Sequence, residues 1–484
     1  MGRKMRQTEL GARGPFSRLA WVVGLSSLVM GGVDAALPRR LLADEIVGLT
    51  TDFSTGSVTT IGTTAPWNTQ IDVASICSDP VGRAFGDRVY IVGRFGCDAI
   101  QVLNPFNGYQ TQIEFAVGSN PQDIWVLAPN RAYVSFYESN TLLEVNPQTG
   151  ATLGSISLAQ FADNDGLVEM HRMFVHGRYL YVQLQRLDRG QFPYVPVAPS
   201  MLAVVDLVTE TLVDVDPGSP GMQAIALTAT NPIAPMAIDL TSGDLLVPCT
   251  GAFGVMNDGG IERVDLTDWE SDGMWLSGPA MNGDLVDFST WSATRAFVIV
   301  SDASFNTALH LINPSTGVKG AAVFAPGGFT LSDCLTHHNG SLFVTDRDFF
   351  DPGVRVFSAE TGAPLSGLVP TGLPPFELFV RPDFPSDVAD ALSTPRGSLF
   401  AAPPWPNPSS GEVRLRVAEG ASVARIDVLD ALGRRVASLE ASRGGMVRWD
   451  GRSGAGREVA AGEYFLRAAR ADGGGESVRV LVVR

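Results

Sequence analysis

The phrase Val145-Asn-Pro-Gln-Thr-Gly150 returns in altered form along the chain, each time after a strand-like run, and this limits the fold more than any other feature. Close relatives are Val102-Leu-Asn-Pro-Phe-Asn-Gly108, Leu311-Ile-Asn-Pro-Ser-Thr-Gly317 and Val356-Phe-Ser-Ala-Glu-Thr-Gly362, with weaker forms at 204–210, 264–269 and 51–56. The ending is turn chemistry: proline presets φ, the Asn side chain bonds nearby backbone, and glycine accepts positive φ before the chain reverses. Upstream of each phrase stands a short β-branched and aromatic run, as in Arg88-Val-Tyr-Ile-Val92, Arg131-Ala-Tyr-Val-Ser135, Tyr179-Leu-Tyr-Val-Gln183, Arg295-Ala-Phe-Val-Ile299 and Ser341-Leu-Phe-Val-Thr345.

Each unit therefore reads as four antiparallel strands, repeated at spacings of roughly 40–60 residues. One such sheet cannot bury both faces alone and must stack on its neighbours, so the predicted fold is an all-β propeller over 44–384. Six units are nearly complete. A seventh is split, with Pro375–Arg381 as its innermost strand and 45–56 and 57–62 as its outer two, so a seven-bladed ring is expected and a six-bladed one is the alternative. Closing the ring with both ends of the domain removes free sheet edges. The repeats resemble those of the YVTN-type bacterial propellers, which implies the fold and leaves function open, because propellers host binding, scaffolding and catalysis alike. Blades three and four depart from the pattern, with Asp206 and Asp265 in place of the Asn, and carry insertions at 186–199 and 251–260. Those loops are the expected shapers of a binding face.

Past the propeller, 385–408 is rich in Ala, Pro and Ser and is expected to be a linker, while 409–484 alternates with period two between closely spaced turns, the pattern of a small β-sandwich. Within it, Pro406-Asn-Pro408, Val428-Leu-Asp-Ala-Leu-Gly-Arg-Arg-Val436, Trp449-Asp-Gly-Arg452 and Gly462-Glu-Tyr-Phe-Leu466 resemble the Ig-like module related to the flagellar hook-capping protein, and are similar to type IX secretion sorting domains. That resemblance implies a sorting or surface-attachment role, with a secretion machine as partner through 400–484.

Charge is uneven within the net −16: 14 basic against 10 acidic residues from 395 onward, five against two in 1–36, and 16 against 39 in 37–394. Such a field opposes phosphate backbones and anionic lipid, so no nucleic-acid partner is expected. At the N-terminus, Arg3, Lys4, Arg6, Arg13 and Arg18 precede the apolar run Leu19–Met30 and the small-residue site Val33-Asp-Ala35-Ala36, a secretory signal expected over 1–36. No membrane span is expected after its cleavage, and the location is expected to be secreted, periplasmic or cell-surface. Four cysteines suit an oxidising compartment and allow three pairings; Cys77 with Cys97 is the expected disulfide, since the two flank the strands of one repeat.

Aligning the second strands brings Pro80, Asp123, His171, Met236, Asp287 and Asp333 into one column, with Glu377 in the split blade. First strands line the central channel of a propeller. Asp123, His171, Asp287, Asp333 and Glu377 are thus candidates for a site holding Ca2+, another divalent cation or a cationic ligand. The structural alternative is that each Asp bonds backbone N–H groups at its own strand start. The adjacent His337 and His338 are expected to point to opposite sides of a strand, which disfavours them as joint ligands. Two functions remain open. One is a non-catalytic binding or scaffold protein, with a protein or glycan partner at the cell surface met through the loops of blades three and four. The other is a metal-dependent propeller hydrolase or lyase, lactonase-like, using the acidic channel.

Overall fold

The computed structural model describes residues 44–382 and, within 399–483, all but 408, 418–422, 431–434, 440–444, 455 and 471–474. The expected signal segment and the stretch 383–398 lie outside the described residues. Blade one is built from Pro80–Phe85, Arg88–Gly93, Ala99–Asn104 and Gln110–Ala116, each strand antiparallel to the one before. Six further sheets share this order. They begin with the first strands Pro121–Ala128, Met170–His176, Ala237–Ile238, Asp284–Ser292, Cys334–His337 and Pro375–Arg381. The protein is a β-propeller.

Burial along the strands explains why the sequence reads as it does. Second strands such as Arg88–Gly93 and Arg131–Phe136 are buried on both sides, because each sheet is sandwiched between two others, and they appear as unbroken apolar runs. Fourth strands such as Ala151–Ser157 face solvent along most of their length. The core is divided accordingly into clusters between blades: Tyr181 and Leu202 with Leu245 and Val247, Phe297 and Ile299 with Leu342 and Val344, Phe343 and Val354 with Ile46 and Ile61. The cluster of Val47, Leu49 and Val58 with Val89 and Ile91 joins blade seven to blade one and closes the ring.

Blade seven differs in detail from the expected split. Its order from the centre is Pro375–Arg381, Glu45–Thr51, Gly56–Gly62 and Thr69–Ile76, so the two strands expected outermost are the second and third. The stretch Thr51–Gly56 is the loop between them and not a form of the repeated phrase.

The phrase itself joins third to fourth strands. Asn104, Asn146 and Asn313 accept backbone N–H bonds from Phe106, Gln148 and Ser315, and Gly108, Gly150, Gly317 and Gly362 all hold positive φ. Blades three and four make the same turn from different residues. Asp206 and Asp265 accept from Val208 and Thr267, and Glu210 and Trp269 occupy the left-handed position at φ 58°.

Residues 399–483 form a separate sandwich. One sheet runs Phe400–Trp405, Val413–Val417, Met446–Trp449; the other runs Arg435–Leu439, Val423–Asp430, Gly462–Arg470, Gly475–Val482. Leu399, Val413, Leu415, Val428, Val447, Trp449, Leu466 and Val480 share its core. The boundary expected between 408 and 409 falls inside this unit. Within the stretch read as linker, Phe400–Trp405 is an edge strand paired with Val413–Val417, and an edge is where a strand tolerates proline.

Candidate functional site

First strands start near the propeller axis, and the aligned column lies there; among the described residues no three of its members bring ligand atoms within 4.8 Å of one another. Each carboxylate reaches sideways to the next blade. Asp123 Oδ2 accepts from Met173 N (2.9 Å) while its Oδ1 takes its own Ile124 N (2.9 Å). Asp287 Oδ2 accepts from Cys334 N (2.8 Å), Asp333 Oδ2 from Leu378 N, and Glu377 Oε2 from Gly82 N (3.1 Å). These bonds tie blade two to three, five to six, six to seven and seven to one. Side-chain donors tie others: Arg83 Nε bonds Ile124 O (2.9 Å) between blades one and two, and Gln183 Nε2 bonds Ala234 O (3.0 Å) between three and four.

Two arginines absent from the expected set supply the compensating charge. Arg172, 8 % exposed, places Nη2 2.9 Å from Glu377 Oε1, and Arg83 Nη2 lies 2.8 Å from Asp123 Oδ2 with its guanidinium 4.0 Å above the Trp125 ring. Burial pushes the Glu377 carboxyl up, and Arg172 opposes that push. His171 has no hydrogen-bond partner at Nδ1, and burial, then the charges of Arg172 and Arg94, hold the imidazole well below its ordinary pKa.

Asp287 and Asp333 are hydrogen-bonded to each other. Burial raises both; Asp287 is pushed up to about 6 and Asp333 well above its usual range, so the pair keeps a proton between its oxygens at pH values where exposed aspartates have lost theirs. An arginine-neutralised, internally hydrogen-bonded cluster thus occupies the axis. Arg172 follows His171 directly, so its position in the column was readable from the sequence; its inward direction follows from the register shift between Met170 and Met173.

A second feature was not singled out in the sequence. Loops joining second to third strands, and links from each fourth strand to the next blade, emerge at one end of the ring, because four antiparallel strands return the chain to that end. Phe53 (blade seven), Phe95 (one), Phe192 and Tyr194 (three), Phe253 (four), Phe305 (five) and Phe349 and Phe350 (six) all sit on second-to-third loops, and Phe329 sits on a link. Every strongly exposed aromatic among the described propeller residues is on this face, from Phe305 at 52 % to Phe350 at 92 % for the loop phenylalanines. Only blade two lacks one; its Tyr137 is covered by the Arg189 guanidinium, 5.5 Å from the ring. Neighbours meet across blades, with Phe253 and Phe305 stacked at 6.1 Å. The long loops of blades three and four contribute Phe192, Tyr194 and Phe253 to it.

Cys77 and Cys97 are joined in a disulfide, while Cys249 and Cys334 are buried free thiols. The bridge fixes the second-to-third loop of blade one, which carries Phe95, to the link arriving from blade seven. His337 and His338 do not diverge as expected. His337 ends its strand and His338 lies in the turn, where strand alternation no longer applies, and both rings approach Asp44.

The fold and the site define a β-propeller protein whose first strands are tied across blades by ionic groups and whose exposed aromatics share one face. No family model matches the chain, and no curated protein matches it. Among solved structures, the dihydro-heme d1 dehydrogenase NirN is similar at 14% identity and TM-score 0.47, covering 71% of this chain and 78% of that one. AztD from Citrobacter koseri is similar at 13% identity and TM-score 0.45, covering 70% and 98%. PorZ, a surface component of the type-IX secretion system of Porphyromonas gingivalis, is similar at 14% and TM-score 0.40, covering 88% of this chain and 63% of that one. These likenesses carry no information about function.

Proposed function

We propose that the protein is an exported, non-catalytic binding protein whose propeller presents the aromatic face to a protein partner at the cell surface, with the C-terminal sandwich serving in sorting or attachment. The observation that carries this reading is the confinement of exposed aromatics to one end of the ring, on six of the seven blades. Phenylalanine supplies apolar area without hydrogen-bonding groups. Such rings favour an apolar protein surface over a glycan, and they are enriched at the centres of protein interfaces. A patch of this kind is unusual for a protein that works alone. We assign the axial carboxylates to ring closure, because they are engaged with backbone N–H groups of the next blade and with arginines.

Export rests on the basic and apolar pattern of 1–36. No helix among the described residues is long and apolar enough to cross a membrane. The sorting role of the sandwich rests on its resemblance to type IX sorting domains, supported by its separate core. Two variants test the reading in the source organism. Phe192→Ala/Phe305→Ala/Phe350→Ala should lose association with the cell envelope, whereas Val208→Ala/Leu240→Ala/Val318→Ala, exposed elsewhere on the propeller, should keep it. Equal retention of both would remove the aromatic face from the account. A chain ending at Arg381 that still reaches the surface normally would remove the sorting role.

A further inference from the structure

The end of the ring opposite the aromatic face carries the hairpins between first and second strands. There the first strand of blade six ends at His337, 2 % exposed, and the chain turns through His338, Asn339 and Gly340. Asp44 lies on the same end, one residue before the second strand of blade seven begins at Glu45. Nε2 of His337 and Nε2 of His338 lie 3.5 and 3.6 Å from the same oxygen, Asp44 Oδ2, and the two rings are 4.0 Å apart. Among the described residues no other three His, Cys, Asp or Glu side chains bring ligand atoms within 4.8 Å of one another.

One of these atoms is an anomaly on its own. His337 Nε2 is buried without a hydrogen-bond partner and is aimed into the cluster, in a protein where buried polar atoms normally find one. A tetrahedral zinc ion, with metal–nitrogen and metal–oxygen distances of about 2.0–2.2 Å, holds neighbouring ligand atoms about 3.3 Å apart, close to the spacing seen. Asn339 N lies 3.4 Å from His337 Nδ1, a contact weak enough to give way when Nδ1 carries the proton and Nε2 the metal.

We propose that Asp44, His337 and His338 form a binding site for a divalent transition-metal ion, zinc by its donor set, that clasps blade six to the blade closing the ring. Two imidazoles and one carboxylate leave a fourth position for water on the solvent side, where the His338 side chain is 67 % exposed. The ion adds to a junction already tied by Asn339 Nδ2 to Thr63 O at 2.6 Å. Its role is structural. The site stands apart from the aromatic face, so failure of either proposal leaves the other intact.

The test uses the untagged full chain, stripped with chelator and titrated with Zn2+ by calorimetry and with Co2+ by visible absorption. One zinc per chain, Co2+ bands of a four-coordinate ion and a melting temperature raised by zinc are expected. His338→Ala removes an exposed ligand without risk to the core, and Asp44→Asn removes the shared carboxylate. Each should weaken zinc by more than about 100-fold, beyond the loss of an outer-shell partner. His310→Ala, in blade five, should change nothing. Absence of stoichiometric binding by the native chain, or unchanged affinity in both ligand variants, overturns the proposal.

Discussion

Glycine 150 holds φ at +73° at the end of the repeated phrase, and a Cβ there would sit 2.8 Å from Cβ and Cγ of Phe115 in blade one. Gly108 ends the same phrase at φ +61° with nothing within 4 Å. Gly108→Ala should therefore cost only the left-handed backbone term, about 1–2 kcal/mol, and Gly150→Ala that term plus the clash. Denaturant unfolding checks the order, and equal losses would show that the phrase is local turn chemistry without a packing role. The Asn and Gly of the turn were readable because their side-chain chemistry is local. Glu210 and Trp269 at the same left-handed position were not; their side chains are engaged from the preceding blade, Glu210 by Arg131 and Trp269 by the Tyr181 hydroxyl.

The Asp287–Asp333 pair titrates in the opposite sense to most carboxylates. Both folded pKa values lie above the ordinary 3.8, so the pair's contribution is fully present below that pH and is lost as pH rises, through about 6 at Asp287. Asp333→Asn, which keeps a neutral hydrogen-bonding group, should flatten the fall in melting temperature between pH 4 and pH 7. Asp333→Ala should instead lose about 1–3 kcal/mol at acid pH through the unpaired Leu378 N–H and its partner carboxyl. An unchanged pH slope in Asp333→Asn would contradict the shared proton.

At the scale of elements, the second strands were the most legible part of the chain, because burial on both sides leaves a continuous apolar run that turn residues punctuate. First strands were legible as a column but not in their use. Asp123 does bond the N–H beside it at its own strand start, as the structural alternative expects, but the other bonds of Asp123, Asp287, Asp333 and Glu377 cross to another blade, which no single repeat shows. Only stacking shows such a partner. Proline misled at 403–408 for a related reason: composition alone does not tell an edge strand from a linker. The Cys77–Cys97 bridge, with a sequence separation of 20, anchors the junction of blades seven and one. Cys77→Ser should cost about 3 kcal/mol by loop-closure entropy, read as a shift in denaturant midpoint. The same midpoint would show that the junction is held by the Val47–Val89 cluster alone.

At the scale of the whole molecule, the ring has two unlike ends. One carries the repeated phrase, the first-to-second hairpins and the closure of blade seven; the other carries the aromatic loops. This asymmetry was latent in the sequence, since Phe95, Phe192, Phe253, Phe305 and Phe350 all fall between a second and a third strand, but the phenylalanines share no motif and the sequence marks no face. The central claim, that this face meets a protein, is tested most directly by photo-crosslinking from single positions around both ends of the propeller in the source organism. Benzophenone at Phe95, Phe192, Phe305 and Phe350 should capture one and the same protein, and at Asp87, Gln148, Thr294 and Ser315, on the opposite end, should not. Capture of that protein equally from both ends, or from neither, would contradict the account.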